Sequence, residues 1–144
     1  MVTIEVTLGR HPARRADVAT VDDVARLVRR FYRVAIPDPL LGPIFTGAAV
    51  DWGHHIPLLT SFWARELLGE PGYAGNVAGA HVRVLDIMPF GDAQVRRWLE
   101  LFDETVDELF VGPIADRAKQ RAAQVGDVIA TLARRSTNRP TEEP

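Results

Sequence analysis

Between residues 20 and 135 the apolar side chains recur at spacings of three and four, and no alternating run interrupts them. That period fits one stripe of an α-helix and does not fit the pleat of a strand. Prolines and glycines fall between the periodic stretches, where they read as loops. The fold class is therefore all-α, with four substantial helices and several short ones. A chain of 144 residues, 47% of them apolar, has the material for one buried core.

The first helix opens at Thr20-Val21-Asp22-Asp23, a hydroxyl followed three positions later by a carboxylate. This is the pattern of a capping box. Val24, Leu27, Val28, Phe31 and Val34 make its apolar face, and Pro37 and Pro39 end it. A second helix is expected from about Val50 to Leu68, with His55, Leu59, Phe62, Trp63 and Glu66 or Leu67 facing inward and Gly69 as its stop. Pro57 suits that helix only in its first turn or two, where amide donors are still unpaired. A short helix is expected over Val77 to Val84, around His81. Asp92 is read as the cap of a long helix bearing Val95, Trp98, Phe102, Val106 and Leu109. Pro113 opens the last helix, faced by Ile114, Ala118, Ala122, Val125, Ile129 and Leu132.

Met1 to Leu8 alternates and reads as a strand with no partner elsewhere in the chain. The expected organisation is an N-terminal extension over 1–16, strand-like or disordered, a domain over 17–135, and a mobile tail over 136–144.

The absence of cysteine excludes disulfides, thiolate metal sites, iron–sulfur ligation, a cysteine nucleophile and covalent haem attachment. A metal would have to be held by His, Asp, Glu, Tyr or Met. The histidines are His11, His54, His55 and His81. His54 and His55, if helical, point ~100° apart and do not readily share one ion. No Gly-x-Ser-x-Gly, Gly-x-Gly-x-x-Gly or Walker-type loop occurs. A net charge of -2 gives no footprint for a nucleic-acid binder. No apolar run approaches the ~18 residues of a membrane span. No charged leader with a hydrophobic run is seen, and a cytoplasmic location is expected.

Aromatic and histidine residues gather on the inferred inner faces: Phe31-Tyr32, Phe45, Trp52, His54-His55, Phe62-Trp63, His81, Phe90, Trp98 and Phe102. Two readings stand. One is a packed helical core whose polar tips are satisfied locally. The other is a pair of imidazoles, His55 and His81, flanking a flat apolar cofactor such as haem. Periodicity does not choose between them.

Four blocks then match a known family in order and spacing. They are Phe31-Tyr32 with Asp38-Pro39-Leu40-Leu41-Gly42-Pro43-Ile44-Phe45; Trp52-x-x-His55-Ile56-Pro57 with Phe62-Trp63 and Leu67-Leu68-Gly69-Glu70; Tyr73-x-Gly75-Asn76 with His81; and Trp98-Leu99-x-Leu101-Phe102. Over roughly residues 20–135 the chain resembles the truncated haemoglobins of the third group. The family loop often reads Gly-Asn-Pro where this chain has Gly75-Asn76-Val77, a change that loosens the start of the following short helix without removing the ligand.

The resemblance implies a two-over-two globin fold around a non-covalent haem b. His81 matches the proximal iron ligand. Tyr32 and Trp98 match the polar residues of the distal pocket, and His55 the distal histidine, either a gate or simple packing at the mouth. Phe45 matches the aromatic at the haem edge, and Leu59 and Trp63 match positions facing the pocket. Phe31, Met88, Phe90 and Phe102 are further expected contacts. The implied function is binding of O₂, NO and CO at a pentacoordinate iron, with redox chemistry on O₂, NO or peroxide as an extension. Tyr32 O–H and Trp98 N–H would donate to the ligand. A charge-assisted hydrogen bond contributes on the order of 1.5–3 kcal/mol, so slow O₂ release is expected. The alternatives are a peroxidase or NO dioxygenase served by an external reductase, and a haem-free helical interaction module. A monomer or weak dimer is expected.

Overall fold

The computed structural model describes residues 15–47, 49–71 and 91–137. Among them are five helices: α1 (Val21–Ala35), α2 (Gly42–Gly47), α3 (Trp52–Leu68), α4 (Asp92–Leu109) and α5 (Pro113–Thr137). No strand occurs among the described residues. The strand expected over Met1–Leu8 and the short helix expected over Val77–Val84 lie outside them.

The α1 start is the capping box that the spacing predicts. Asp23 N–H donates to Thr20 Oγ1 at 3.1 Å, and Thr20 N–H donates back to Asp23 Oδ2 at 3.0 Å. Val24, Leu27, Val28 and Phe31 are buried. Ala35 completes that stripe, while Val34 is only half-buried. Helix α3 begins two residues later than expected, which puts Pro57 on an exposed side of its second turn. Gly69 ends it at φ 71°, a left-handed conformation that favours glycine. Its N–H donates to Arg65 O at 3.0 Å, the bond of an αL end, and Glu70 N–H donates to Ala64 O at 3.4 Å.

Two further boundaries differ from the expectation. The cap of α4 is Gly91, in extended conformation, and Asp92 is already the first helical residue. Gln94 Oε1 accepts the Gly91 N–H at 2.9 Å, so the side chain that closes this end comes from inside the helix. Helix α5 runs to Thr137, two residues into the span read as tail.

The N-terminus of α5 is capped from far away in sequence. Asp17 Oδ2 accepts from Ile114 N–H at 2.9 Å, and Oδ1 from Ala115 N–H at 2.8 Å. Gly112, at φ 145°, makes room for it: a Cβ there would lie 2.5 Å from Asp17 Cγ. A helix leaves its first amides without internal acceptors, and the Asp17 carboxylate supplies both acceptor oxygens and a favourable charge.

The helices pack as two pairs, α1 with α3 and α4 with α5, joined where α1 lies against α4. Gly126 lets the second pair approach closely; a Cβ there would sit 3.3 Å from both Leu99 and Val95 side chains. The main core runs through both pairs and includes Leu27, Phe31, Phe62, Trp63, Phe102, Val106 and Ala118. Arg121 Nε and Nη2 fork onto the two Glu66 oxygens at 3.1 and 3.4 Å, tying α5 to α3. Among the described residues no helix is long and apolar enough to cross a membrane.

Candidate functional site

The two helix pairs meet around a cavity of about 40 Å³. Its walls come from three directions: Val28, Phe31 and Tyr32 on α1; Leu59, Phe62 and Trp63 on α3; Trp98 and Phe102 on α4. Val125 of α5 closes the far side. Each helix turns its apolar stripe inward to form the core, and the aromatic members of those stripes coincide at this level. Trp63 stacks on Phe102 with ring centroids 5.0 Å apart, and Trp98 stacks on Phe102 at 5.8 Å. Phe31 meets Phe102 and Trp98 edge-on, at 5.6 and 6.1 Å. Such offset and edge contacts are the favoured aromatic geometries, and they stiffen the wall.

Tyr32 brings the polar tip. Its hydroxyl lies 3.3 Å from His55 Nε2, a hydrogen bond whose direction follows the imidazole tautomer. Burial holds the Tyr32 phenol above its ordinary range, so the hydroxyl keeps its proton and remains a donor. His55 is half-buried and His54 exposed, as expected of neighbours on one helix.

Three more rings gather on Tyr32. Phe45 meets Tyr32 at 5.7 Å, Trp52 meets it at 4.9 Å, and His55 at 5.5 Å. Phe45 and His55 contact Tyr32 and are not among the residues that line this cavity, whereas Phe31, Tyr32, Leu59, Trp63, Trp98 and Phe102 are. His81, Met88 and Phe90 lie outside the described residues.

Sequence reasoning about the site missed four neighbours. Trp52 is expected on an inner face but is given no role at the site, yet it packs on Tyr32, Phe45 and His55. Phe62 was assigned to the core and not to the pocket. Val28 and Val125 had no local signal beyond their helical periodicity, because only the packing of α1 and α5 brings them to the cavity. Among the described residues no group of three or more His, Cys, Asp or Glu could hold a metal ion.

The lining has the chemistry for an apolar group with a small ligand at a polar corner, and its volume of about 40 Å³ is that of a small ligand alone. Its walls are aromatic and aliphatic, and the polar side-chain groups of its lining residues are the Tyr32 hydroxyl and the indole N–H groups of Trp63 and Trp98. All three are donors without a formal charge, suited to a small acceptor.

No family model matches the chain. Over 108 residues it is 32% identical to the group 3 truncated haemoglobin ctb of Campylobacter jejuni, a match covering 72% of this chain and 83% of that protein. Its fold is similar to the crystal structure of the group III truncated haemoglobin from Campylobacter jejuni, with a TM-score of 0.72 and 28% identity, covering 83% of this chain and 94% of that one. A haem-free interaction module is set aside by this relationship. With two helix pairs enclosing an aromatic pocket, this chain belongs to the group III truncated haemoglobins and is a haem globin for small gaseous ligands.

Proposed function

We propose that this chain is a haem b protein that takes up O₂, NO and CO and releases O₂ slowly. The observation that carries the reading is the placement of Tyr32 and Trp98 on the wall of one aromatic cavity. His81 would ligate the iron through a neutral imidazole, and Phe31, Phe45, Leu59, Trp63, Met88, Phe90 and Phe102 would provide apolar contact to the macrocycle. Bound there, the haem supplies an iron with a position open to a diatomic ligand. Tyr32 O–H and Trp98 N–H donate to that ligand, and the surrounding rings exclude competing water. A donor in a low-dielectric pocket is worth more than one in water. His55 holds or releases the Tyr32 hydroxyl through the 3.3 Å contact of its Nε2.

Slow release disfavours bulk oxygen transport, because a carrier must give up its cargo. The same two donors would also serve peroxide activation or NO oxidation with electrons from an external reductase. Turnover of NO under excess reductant separates the two readings: multiple turnovers point to the enzyme, and strictly stoichiometric consumption to the binding protein.

The first test is the visible absorption spectrum of the purified protein, ferric, ferrous, and ferrous with CO. A strong Soret band that shifts with CO is expected. A flat spectrum that persists after haem is supplied to the folded chain overturns the proposal.

A further inference from the structure

The corner between α1 and α2 is tied to α4 by a buried carboxylate. The Asp38 side chain is only 5% exposed. Its Oδ1 accepts from Arg97 Nε at 2.8 Å, while Oδ2 accepts from the backbone N–H of Leu40 and Leu41 at 3.1 and 3.2 Å. Arg97 Nη1 also donates to Glu100 Oε2 at 3.2 Å, which orients the guanidinium along its own helix. The corner is tightly wound: Gly42 N–H donates to Asp38 O at 2.8 Å, and a Cβ on Gly42 would lie 2.6 Å from Ile36 O. Asp38 is therefore an anchor that its own loop does not let move.

Each end of this bridge lies close in sequence to one of the two pocket donors. Asp38 is six residues beyond Tyr32, and Arg97 immediately precedes Trp98. Between the donors α1 and α4 touch through the edge contacts of Phe31, which are apolar and only weakly directional, while the other ion pair between these helices, Arg30 with Glu108 at 3.0 and 3.3 Å, is exposed and lies at the far end of α4 from Trp98. Such ring contacts bury surface but allow a helix to turn about its axis or slide. A charge-assisted, geometrically defined hydrogen bond does not.

We propose that the Asp38–Arg97 bridge is a positioning element that fixes the rotation of α4 against the α1 corner, and through it the place of the Trp98 indole relative to Tyr32. The inference deepens the ligand-binding reading and rests on it only for its kinetic consequence. Arg97 and Asp38 touch no ligand; they act through Trp98.

The test uses the full chain, ¹⁵N-labelled, as purified and as the ferrous CO form. The Trp98 indole N–H resonance is assigned with Trp98→Phe. Arg97→Met removes the guanidinium but keeps an apolar stem. It is expected to move the Trp98 indole resonance and to speed O₂ dissociation at least roughly threefold, the worth of a weakened hydrogen bond. Arg97→Lys, which returns a charged donor, is expected to recover part of both. An unmoved indole resonance, with the O₂ rate within twofold and only the thermal midpoint lowered, would reduce the bridge to a stabilising contact and overturn the proposal. If Arg97→Met does not fold, Asp38→Asn carries the same comparison. A chain that holds no haem but whose Trp98 resonance moves supports the bridge and overturns only the haem reading.

Discussion

The Tyr32 hydroxyl and His55 Nε2 stand 3.3 Å apart, and the two residues come from different helices 23 positions apart in the chain. A hydroxyl has one proton. If His55 Nε2 carries hydrogen, it donates to Tyr32 and leaves the tyrosine proton for a ligand in the cavity. If Nε2 is bare, Tyr32 donates to His55 and the ligand loses a donor. The imidazole tautomer thus decides what Tyr32 offers.

Opposite signs follow for two substitutions. Tyr32→Phe keeps the ring and its packing, so haem should be retained while O₂ dissociation rises by roughly tenfold or more. His55→Leu frees the Tyr32 proton for the ligand, and O₂ dissociation should stay the same or slow. Stopped-flow displacement of O₂ by CO reads both rates. Equal acceleration by the two variants would show that Tyr32 donates to the ligand only while His55 holds it, and would overturn the opposite signs.

Replacing His81 with Gly should remove most haem retention, because the chain has no cysteine to substitute and His55 faces Tyr32. Adding imidazole to the variant should restore part of it. The check is the Soret absorbance that survives transfer to a competing haem acceptor. Retention equal to that of the parent would move the iron ligand elsewhere.

Asp17 caps α5 with both carboxylate oxygens. Asp17→Ala should lower unfolding free energy by about 1–2 kcal/mol, the range for loss of a helix cap. Removal of residues 1–15 leaves Asp17 in place and should leave haem binding intact. Urea unfolding of the two variants side by side makes the comparison. A truncated chain less stable than Asp17→Ala would assign the stabilisation to the extension.

Burial raises the Asp38 carboxyl, but the Arg97 hydrogen bond and the Leu40 and Leu41 amides outweigh it and hold the group below its usual range. A carboxylate depressed in the folded state stabilises fully above its unfolded pKa, near 3.9, and the contribution is lost as pH falls through the lower folded value. Stability should therefore fall with a steeper acid limb below about pH 4 in the parent than in Asp38→Asn. Urea midpoints between pH 6 and 3 show this; parallel curves for the two proteins would exclude it.

Much of this fold was legible in the chain. Helical spacing, the Thr20–Asp23 box and the Gly69 stop depend on residues within a turn of each other, so local sequence suffices for them. The pocket aromatics were legible as types, since Phe31, Tyr32, Leu59, Trp63, Trp98 and Phe102 all lie on predicted inner faces. Their division was not. Phe45 and His55 contact Tyr32 without lining the cavity, and Trp52 packs with them. That distinction depends on how the start of α3 meets the end of α1, which no local period encodes.

The sequence by itself determined the all-α class, the helix ends made by neighbouring residues, and the family likeness carried by ordered motifs. Tertiary structure alone decided that Asp17 would cap a helix 97 residues away, that Asp38 would pair with Arg97, and that the Tyr32 hydroxyl would meet His55. The physical reason is separation along the chain. Backbone sterics and periodic burial act over a few residues. A hydrogen bond between distant side chains exists only once the packing of apolar faces has brought its donor and acceptor together and removed the water between them.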